Sequence, residues 1–238
     1  GYAQAQHAGA EFKTQTPTAI TQIEEGWQIT AGEDVYQTKT VVLAMGAQPR
    51  PLGIRGEKEM TGAGISYCAT CDGAFYKDKT VAVIGGGDTA AGDAAFLSAM
   101  CKKVYLIHRR DRLRASKSYE KKLDKPNIEI VFDTVTDEIL EKDGKVGGLR
   151  LRNVKTDEVC EIEVNGVFVA VGNVPATDFV RDILDLDENG YFMAGESTKT
   201  NVPGVFAAGD CRKKTLRQIV TAAADGAVAA HGVEEYLS

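Results

Sequence analysis

The hydrophobic pattern divides the chain into three stretches. Residues 1–10 read as the later part of a helix, and apolar and polar positions then alternate through residues 12–16, 18–25, 27–30 and 35–45, broken by Gly26 and by Gly32, Glu33 and Asp34. Period-two runs separated by turn residues predict a small β meander. Its last run ends in the continuously apolar Val41, Val42, Leu43, Ala44 and Met45, the pattern of a buried strand. Gly46, Pro49 and Pro51 follow and mark a connector.

A second stretch begins near Lys79. The β-branched run Val81 to Ile84, the turn Gly85, Gly86 and Gly87, a helical segment over 88–101 and a second apolar run over 103–108 give strand, glycine turn, helix, strand. A further meander is predicted over 128–132, 134–141, 146–151 and 159–164, closing in an apolar strand at 167–171 and Gly172. After a second connector at 173–178, with Pro175, come a strand at 205–208, a turn at Gly209 and Asp210, and an alanine-rich helix over 216–236. That tail is too small to fold alone, and the natural partner for its strand is Val41 to Met45. The expected class is therefore α/β, with a Rossmann-like nucleotide domain at 49–176 inserted into a discontinuous, partial domain at 1–48 and 177–238.

Composition narrows the function. In 238 residues with a net charge of −6, no apolar run reaches the roughly 18 residues of a membrane span, and no basic-then-apolar leader is visible. Membrane and nonspecific nucleic-acid binding are not expected, and the cytoplasm is the expected compartment. Glycine is abundant at 25 residues, above the roughly 7% average, so tight backbone loops are expected. The five cysteines form one C-x-x-C, Cys68 with Cys71, and no second pair completes a metal site. Cys101, Cys160 and Cys211 are read as ordinary thiols.

Gly85-x-Gly87-x-x-Ala90 lies between a strand and a helix, the setting in which this pattern binds a dinucleotide. Gly85 allows the tight turn, Gly87 lets the backbone approach a pyrophosphate, Ala90 keeps the helix close to the sheet, and Gly86, Asp88 and Thr89 complete the turn and first helical residues. Where an NAD site places a carboxylate at the end of the second strand, this chain has His108, Arg109 and Arg110, followed by Arg112 and Arg114. Guanidinium forks suit a 2′-phosphate, so NADPH is the expected nucleotide. Cys68 and Cys71 at this spacing can carry two electrons as a disulfide, and Asp72 beside them can pass a proton. Hydride and disulfide chemistry do not couple directly, so a flavin is expected between them.

Cys-Ala-Thr-Cys-Asp-Gly from Cys68, Gly-Gly-Gly-Asp-Thr-Ala from Gly85, His-Arg-Arg-Asp-x-x-Arg from His108 and Pro-Gly-Val-Phe-Ala-Ala-Gly-Asp from Pro203 occur in that order. Together they resemble the low-molecular-weight, bacterial-type thioredoxin reductases of the pyridine nucleotide-disulfide oxidoreductases. The resemblance implies a homodimeric flavoprotein passing electrons from NADPH to FAD, to the Cys68–Cys71 pair and then to thioredoxin, with Cys71 facing the flavin, Cys68 attacking the partner and Asp72 as acid. It implies FAD contacts at Gly46, Gly209, Asp210, Arg217, Gln218 and Ile219, and a nicotinamide-side position for Gly172. It also implies a rotation of the inserted domain about the two connectors. Two departures stand out: Gly92 replaces a usual glutamate, and the family's own N-terminal glycine motif for the ADP part of FAD, about 70 to 80 residues upstream, has no counterpart in the sequence. The expected alternatives are a nucleotide-binding module with an empty FAD site, and a related reductase serving a peroxiredoxin-type partner.

Overall fold

The computed structural model describes residues 1–238 as two compact units, one of Gly1–Gln48 with Val174–Ser238 and one of Pro49–Asn173. No helix is long and apolar enough to cross a membrane.

In the first unit, a short helix Tyr2–His7 precedes an antiparallel meander of Ala19–Ile23, Gly26–Ala31 and Asp34–Thr38. The residue pairs Ile20 with Ile29 and Ile29 with Tyr36 set its register. The chain turns at Gly26 because its backbone is left-handed there (φ 129°) and an added Cβ would lie 2.3 Å from the Thr38 carbonyl. Residues 12–16, expected as a strand, are not one. Pro17 has no N–H to extend the ladder beyond the Thr18 N–H bond to Thr30. Gln15 instead joins the meander through its side chain, donating to Asp34 and accepting from the Tyr36 hydroxyl. The expected run 35–45 also divides, because Val41–Leu43 leaves the meander and pairs in parallel with Val205–Ala207, Val41 opposite Val205. Trp27, Leu43, Phe192, Val205 and Ala207 fill the core between them.

The final helix, Ile219–Leu237, starts on a capping box between Gln218 and Thr221. It approaches the sheet at Gly232, where an added Cβ would be 2.7 Å from the Phe206 ring. A buried ion cluster pins it. Asp225 accepts from Arg212 Nε (2.7 Å) and Nη2 (2.6 Å), from Lys214 Nζ (2.8 Å) and from the Gly209 N–H (2.9 Å). All three side chains are less than a tenth exposed.

The second unit is built on a five-stranded parallel sheet in the order Ile65–Ser66, Gly166–Ala170, Thr80–Gly85, Lys103–Ile107, Ile128–Val131. The helix Asp88–Leu97 covers one face, burying Ala90, Ala91, Ala94 and Leu97 on Val81, Val83, Val104 and Leu106. A three-stranded antiparallel sheet, Thr134–Lys142, Lys145–Asn153 and Val159–Glu163, sends Ile139, Leu149 and Leu151 into the core on Ala82, Ile84, Ile107 and Val167. Ile128–Val131, expected in the meander, lies instead in the parallel sheet with Ile128 opposite Val104. The left-handed backbone at Asp133 (φ 51°) then redirects the chain into the antiparallel sheet. The glycine strand is thus central, with later strands on both sides. That is the switch point at which open α/β sheets leave a crevice beyond their carboxyl ends.

Two carboxylates make opposite contributions. Hydrogen bonds from Arg212 hold the Asp225 carboxyl well below the usual carboxylate range, against the opposing effect of burial. Its stabilisation is present above about pH 4 and is lost as pH falls toward the folded-state value. Asp225→Ala should cost about 3 to 5 kcal/mol in chemical denaturation at neutral pH, because Arg212 and Lys214 stay buried without their anion. Burial alone raises the Asp93 carboxyl to about 6. The folded state therefore holds that proton more tightly, and stability falls as pH rises from about 4 to 6. Asp93→Asn should raise Tm at about pH 7.5 and change it little near pH 4.

Candidate functional site

At the carboxyl ends of the parallel strands the second unit holds a cleft of about 520 Å³, lined by Gly85, Gly86, His108, Arg109, Arg114 and Thr136 among others. Its geometry starts at the glycine turn. An added Cβ on Gly85 would lie 2.4 Å from the Ala170 carbonyl and 2.7 Å from Ala90 Cβ, so strand, turn and helix close on one another there. A Cβ on Gly86 would lie 2.2 Å from the His108 ring, whereas one on Gly87 would meet nothing within 4 Å. Gly86 is thus wedged against the second strand's end, and Gly87 leaves room for a ligand. The following helix has ten residues, enough to present unpaired N–H groups to an anion.

The arginine loop is strapped to this turn. The Arg114 N–H donates to the Gly86 carbonyl and the Ser116 N–H to Asp88 Oδ1, both at 2.6 Å. Arg109 and Arg114 line the cleft, while Arg110 is exposed outside the lining, its carbonyl accepting the Asp133 N–H. Thr89 is exposed on the helix, and the Gly172 carbonyl accepts the Arg50 N–H. Burial pushes the His108 imidazole below its usual range, a hydrogen bond to the Arg112 backbone partly offsets this, and the Arg114 and Arg110 charges lower it further. Its Nε2 is buried without a hydrogen-bond partner, and so is Thr136 Oγ1 in the same cleft. Arg152 also lines the wall, held by Asp137 through bonds of 2.8 and 3.0 Å. Sequence reading missed Thr136 and Arg152; for Thr136 a polar residue at a buried strand position was the available signal, whereas Arg152 alternates with buried Leu149 and Leu151 as an ordinary outward-facing charge would. At Gly92 an added Cβ would be 3.2 Å from the Tyr119 ring, which occupies the space of a longer side chain.

The same unit carries a disulfide between Cys68 and Cys71, Cα atoms 5.3 Å apart, on the single turn Ala69–Asp72. The Cys71 N–H reaches Cys68 Sγ at 3.2 Å and the Thr70 hydroxyl lies 3.4 Å from it. Asp72 ends the turn and accepts from Ser66 Oγ at 2.6 Å. Gly73 brings this segment against the Asp88–Leu97 helix, where an added Cβ would lie 3.0 Å from Leu97. Phe75 is 73% exposed beyond it. Burial, then the Asp72 charge, raises the Tyr76 phenol. The approach from residue 50 is fixed by buried Glu57, which accepts from the N–H groups of Leu52 and Gly53 and from the Tyr67 hydroxyl at 2.7 to 2.9 Å.

The first unit gathers the remaining expected residues. Gly46 (φ 68°) has open space beside it and Gly209 (φ 79°) turns the chain after Val205–Ala207. Asp210 Oδ1 is buried without a partner. Arg217 donates to the Asp210 carbonyl (3.2 Å) and lies 4.0 Å over the Tyr191 ring. Gln218 caps the last helix, and Ile219 beside it is almost fully exposed. Cys211 and Cys101 are buried thiols raised chiefly by burial, and Cys160 is exposed.

Comparison with known proteins matches residues 3–226 to the family model for pyridine nucleotide-disulphide oxidoreductases. The thioredoxin reductase of Streptomyces coelicolor is 44% identical over 99% of this chain and 74% of its own length, and that of Peptoclostridium acidaminophilum 43% identical over 98% and 76%. The crystal structure of thioredoxin reductase from Streptococcus pyogenes superposes with a TM-score of 0.91 at 39% identity, covering 99% of this chain and 78% of that one. The chain thus spans about three-quarters of the length of these relatives. With the glycine-turn cleft and the dithiol turn in one unit, it belongs to the pyridine nucleotide-disulphide oxidoreductase family, among the thioredoxin reductases.

Proposed function

We propose that the chain reduces the disulfide of thioredoxin with electrons from NADPH, through FAD and the Cys68–Cys71 pair. The observation that carries this reading is one compact unit holding both a cleft where Arg109 and Arg114 stand beside a glycine turn and a redox-competent cysteine pair. Gly85 to Ala90 hold the pyrophosphate, and Arg109 and Arg114 the 2′-phosphate. His108 Nε2 and Thr136 Oγ1, buried without partners, are satisfied by the bound nucleotide. Gly172 borders the nicotinamide side.

In the first unit the unpartnered Asp210 carboxylate oxygen, with open backbone at Gly46 and a turn at Gly209, suits the hydroxyl-bearing chain of a flavin. Gly46, Gly209, Asp210, Arg217, Gln218 and Ile219 are the residues that would hold FAD, which when bound supplies a relay between hydride and dithiol. The remaining chemistry belongs to this chain. Cys68 as thiolate attacks a substrate sulfur, forming a mixed disulfide and releasing one substrate thiolate. Cys71 then attacks Cys68 Sγ, closing the internal disulfide and releasing the second, and Asp72 supplies a proton to a departing sulfur. The exposed Phe75 offers an apolar contact for the partner beside the dithiol. The working form in this reading is a cytoplasmic homodimer.

The test is to add FAD to the purified chain and follow NADPH-dependent reduction of thioredoxin. Flavin uptake with turnover supports the reading; failure of the chemically reduced chain to reduce thioredoxin contradicts it. For the nucleotide, Arg109→Ala and Arg114→Ala should each weaken NADPH binding about tenfold or more by calorimetry, since a charged hydrogen bond contributes about 1.5 to 3 kcal/mol. NADH binding should change little, and equal losses for both nucleotides would contradict the 2′-phosphate assignment.

A further inference from the structure

Ser66 stands at the carboxyl end of the edge strand Ile65–Ser66, opposite Phe168 in the parallel sheet, and is only 5% exposed. A serine hydroxyl has one proton to donate and two lone pairs to accept with. Here it donates to Asp72 Oδ2 at 2.6 Å and accepts the Cys68 N–H at 3.0 Å. The Cys68 carbonyl, 3.3 Å away, is a second acceptor for the same hydroxyl proton. One buried oxygen therefore ties the Asp72 carboxyl to both backbone polar groups of Cys68.

This arrangement supports either protonation state of Asp72. When Asp72 is a carboxylate, Ser66 donates to it. When Asp72 carries a proton, the bond can reverse: the Asp72 O–H donates to the free lone pair of Ser66 Oγ, whose own proton turns to the Cys68 carbonyl. The Cys68 N–H bond is kept throughout, so the carboxyl keeps its place while its proton comes and goes. The strand, not the turn, supplies this fixed point, because Ser66 is anchored in the sheet and Asp72 lies at the end of a single helical turn.

We propose that Ser66 is the positioning residue for Asp72, holding its carboxyl beside the cysteine pair so that its proton is delivered to the sulfur that leaves during disulfide exchange. The proposal rests on the reading of Cys68, Cys71 and Asp72 given above. In the step concerned, the Cys68 thiol gives its proton to the Asp72 carboxylate, and the resulting thiolate forms a bond to one substrate sulfur as the substrate S–S bond breaks. The departing thiolate takes the Asp72 proton. Attack of Cys71 on Cys68 then releases the other substrate sulfur, so the cysteine pair loses two electrons and the substrate disulfide gains them.

The test needs no flavin. In a Cys160→Ser background, which removes the exposed free thiol, the chain is reduced, freed of reductant and mixed with either of two disulfides. Glutathione disulfide releases a basic thiolate that needs a proton, whereas dithiobisnitrobenzoate releases an aromatic thiolate stable as the anion. Ser66→Ala should slow exchange with glutathione disulfide about tenfold, in line with loss of one charged hydrogen bond, and leave the aromatic disulfide nearly unaffected. Asp72→Asn should do the same, and the double variant should be no slower than the slower single one. Ser66→Thr and Ser66→Val, nearly equal in volume, control for packing: Thr should retain the fast rate and Val should lose it. Equal slowing with both disulfides, equal rates for Thr and Val, or multiplying effects in the double variant would each overturn the proposal. If the reduced chain leaves thioredoxin untouched while these outcomes hold, the partner assignment fails and the role of Ser66 stands.

Discussion

The nucleotide half of the structure depends on a contact in which there is no room for a methyl group. Gly86 lies against the His108 ring, and Gly85 against Ala90 and the Ala170 carbonyl. Because those surfaces touch, the carboxyl ends of three neighbouring strands and the start of the Asp88–Leu97 helix converge on one crevice. The same glycine turn accepts the Arg114 N–H. The residue that enforces close packing thus also carries the loop that brings charge to the cleft. Sterics, backbone hydrogen bonding and electrostatics are coupled there at a few atoms.

The two units solve the problem of buried polarity differently. In the first unit, Asp225 is fully engaged by Arg212, Lys214 and the Gly209 amide, a closed network that fixes the last helix. In the second, His108 Nε2 and Thr136 Oγ1 are left without partners at the wall of the cleft. Asp210 Oδ1 is the corresponding exception in the first unit, next to the closed network. Buried polar atoms without partners are costly and uncommon, and a bound molecule that satisfies them recovers that cost. Two of the three, His108 and Asp210, are residues the sequence motifs single out, and Thr136 lies in the same cleft as His108.

What could be read in the sequence was what is local. The glycine turn and the cysteine pair follow from short patterns whose geometry needs few distant contacts, and the partnership of Val205–Ala207 with Val41–Leu43 followed from two apolar runs that each lacked another strand, although their parallel orientation did not. Ile128–Val131 was harder, because a four-residue apolar run suits either sheet and only its pairing with Lys103–Ile107 decides. Arg109 and Arg110 are adjacent and chemically equal, yet only Arg109 lines the cleft. The Arg110 backbone is held by the Asp133 N–H, a contact that composition does not encode. Ser66 and Asp225 lie outside the short motifs, and their roles show only in the side-chain bonds the fold closes, Ser66 to Asp72 and Asp225 to Arg212 and Lys214. Pro17, by contrast, was a readable signal against a strand at 12–16, and the alternation outweighed it.

Close packing at Gly86 shapes the cleft, and substitution of that one residue shows how far binding there depends on it. Calorimetric titration of Gly86→Ala with NADP⁺, beside a thermal melt of the same sample, separates site from fold. A folded variant whose affinity drops about tenfold or more is the predicted result, because the methyl must displace His108 and the Arg114 strap with it. Unchanged affinity in a folded variant would contradict the account.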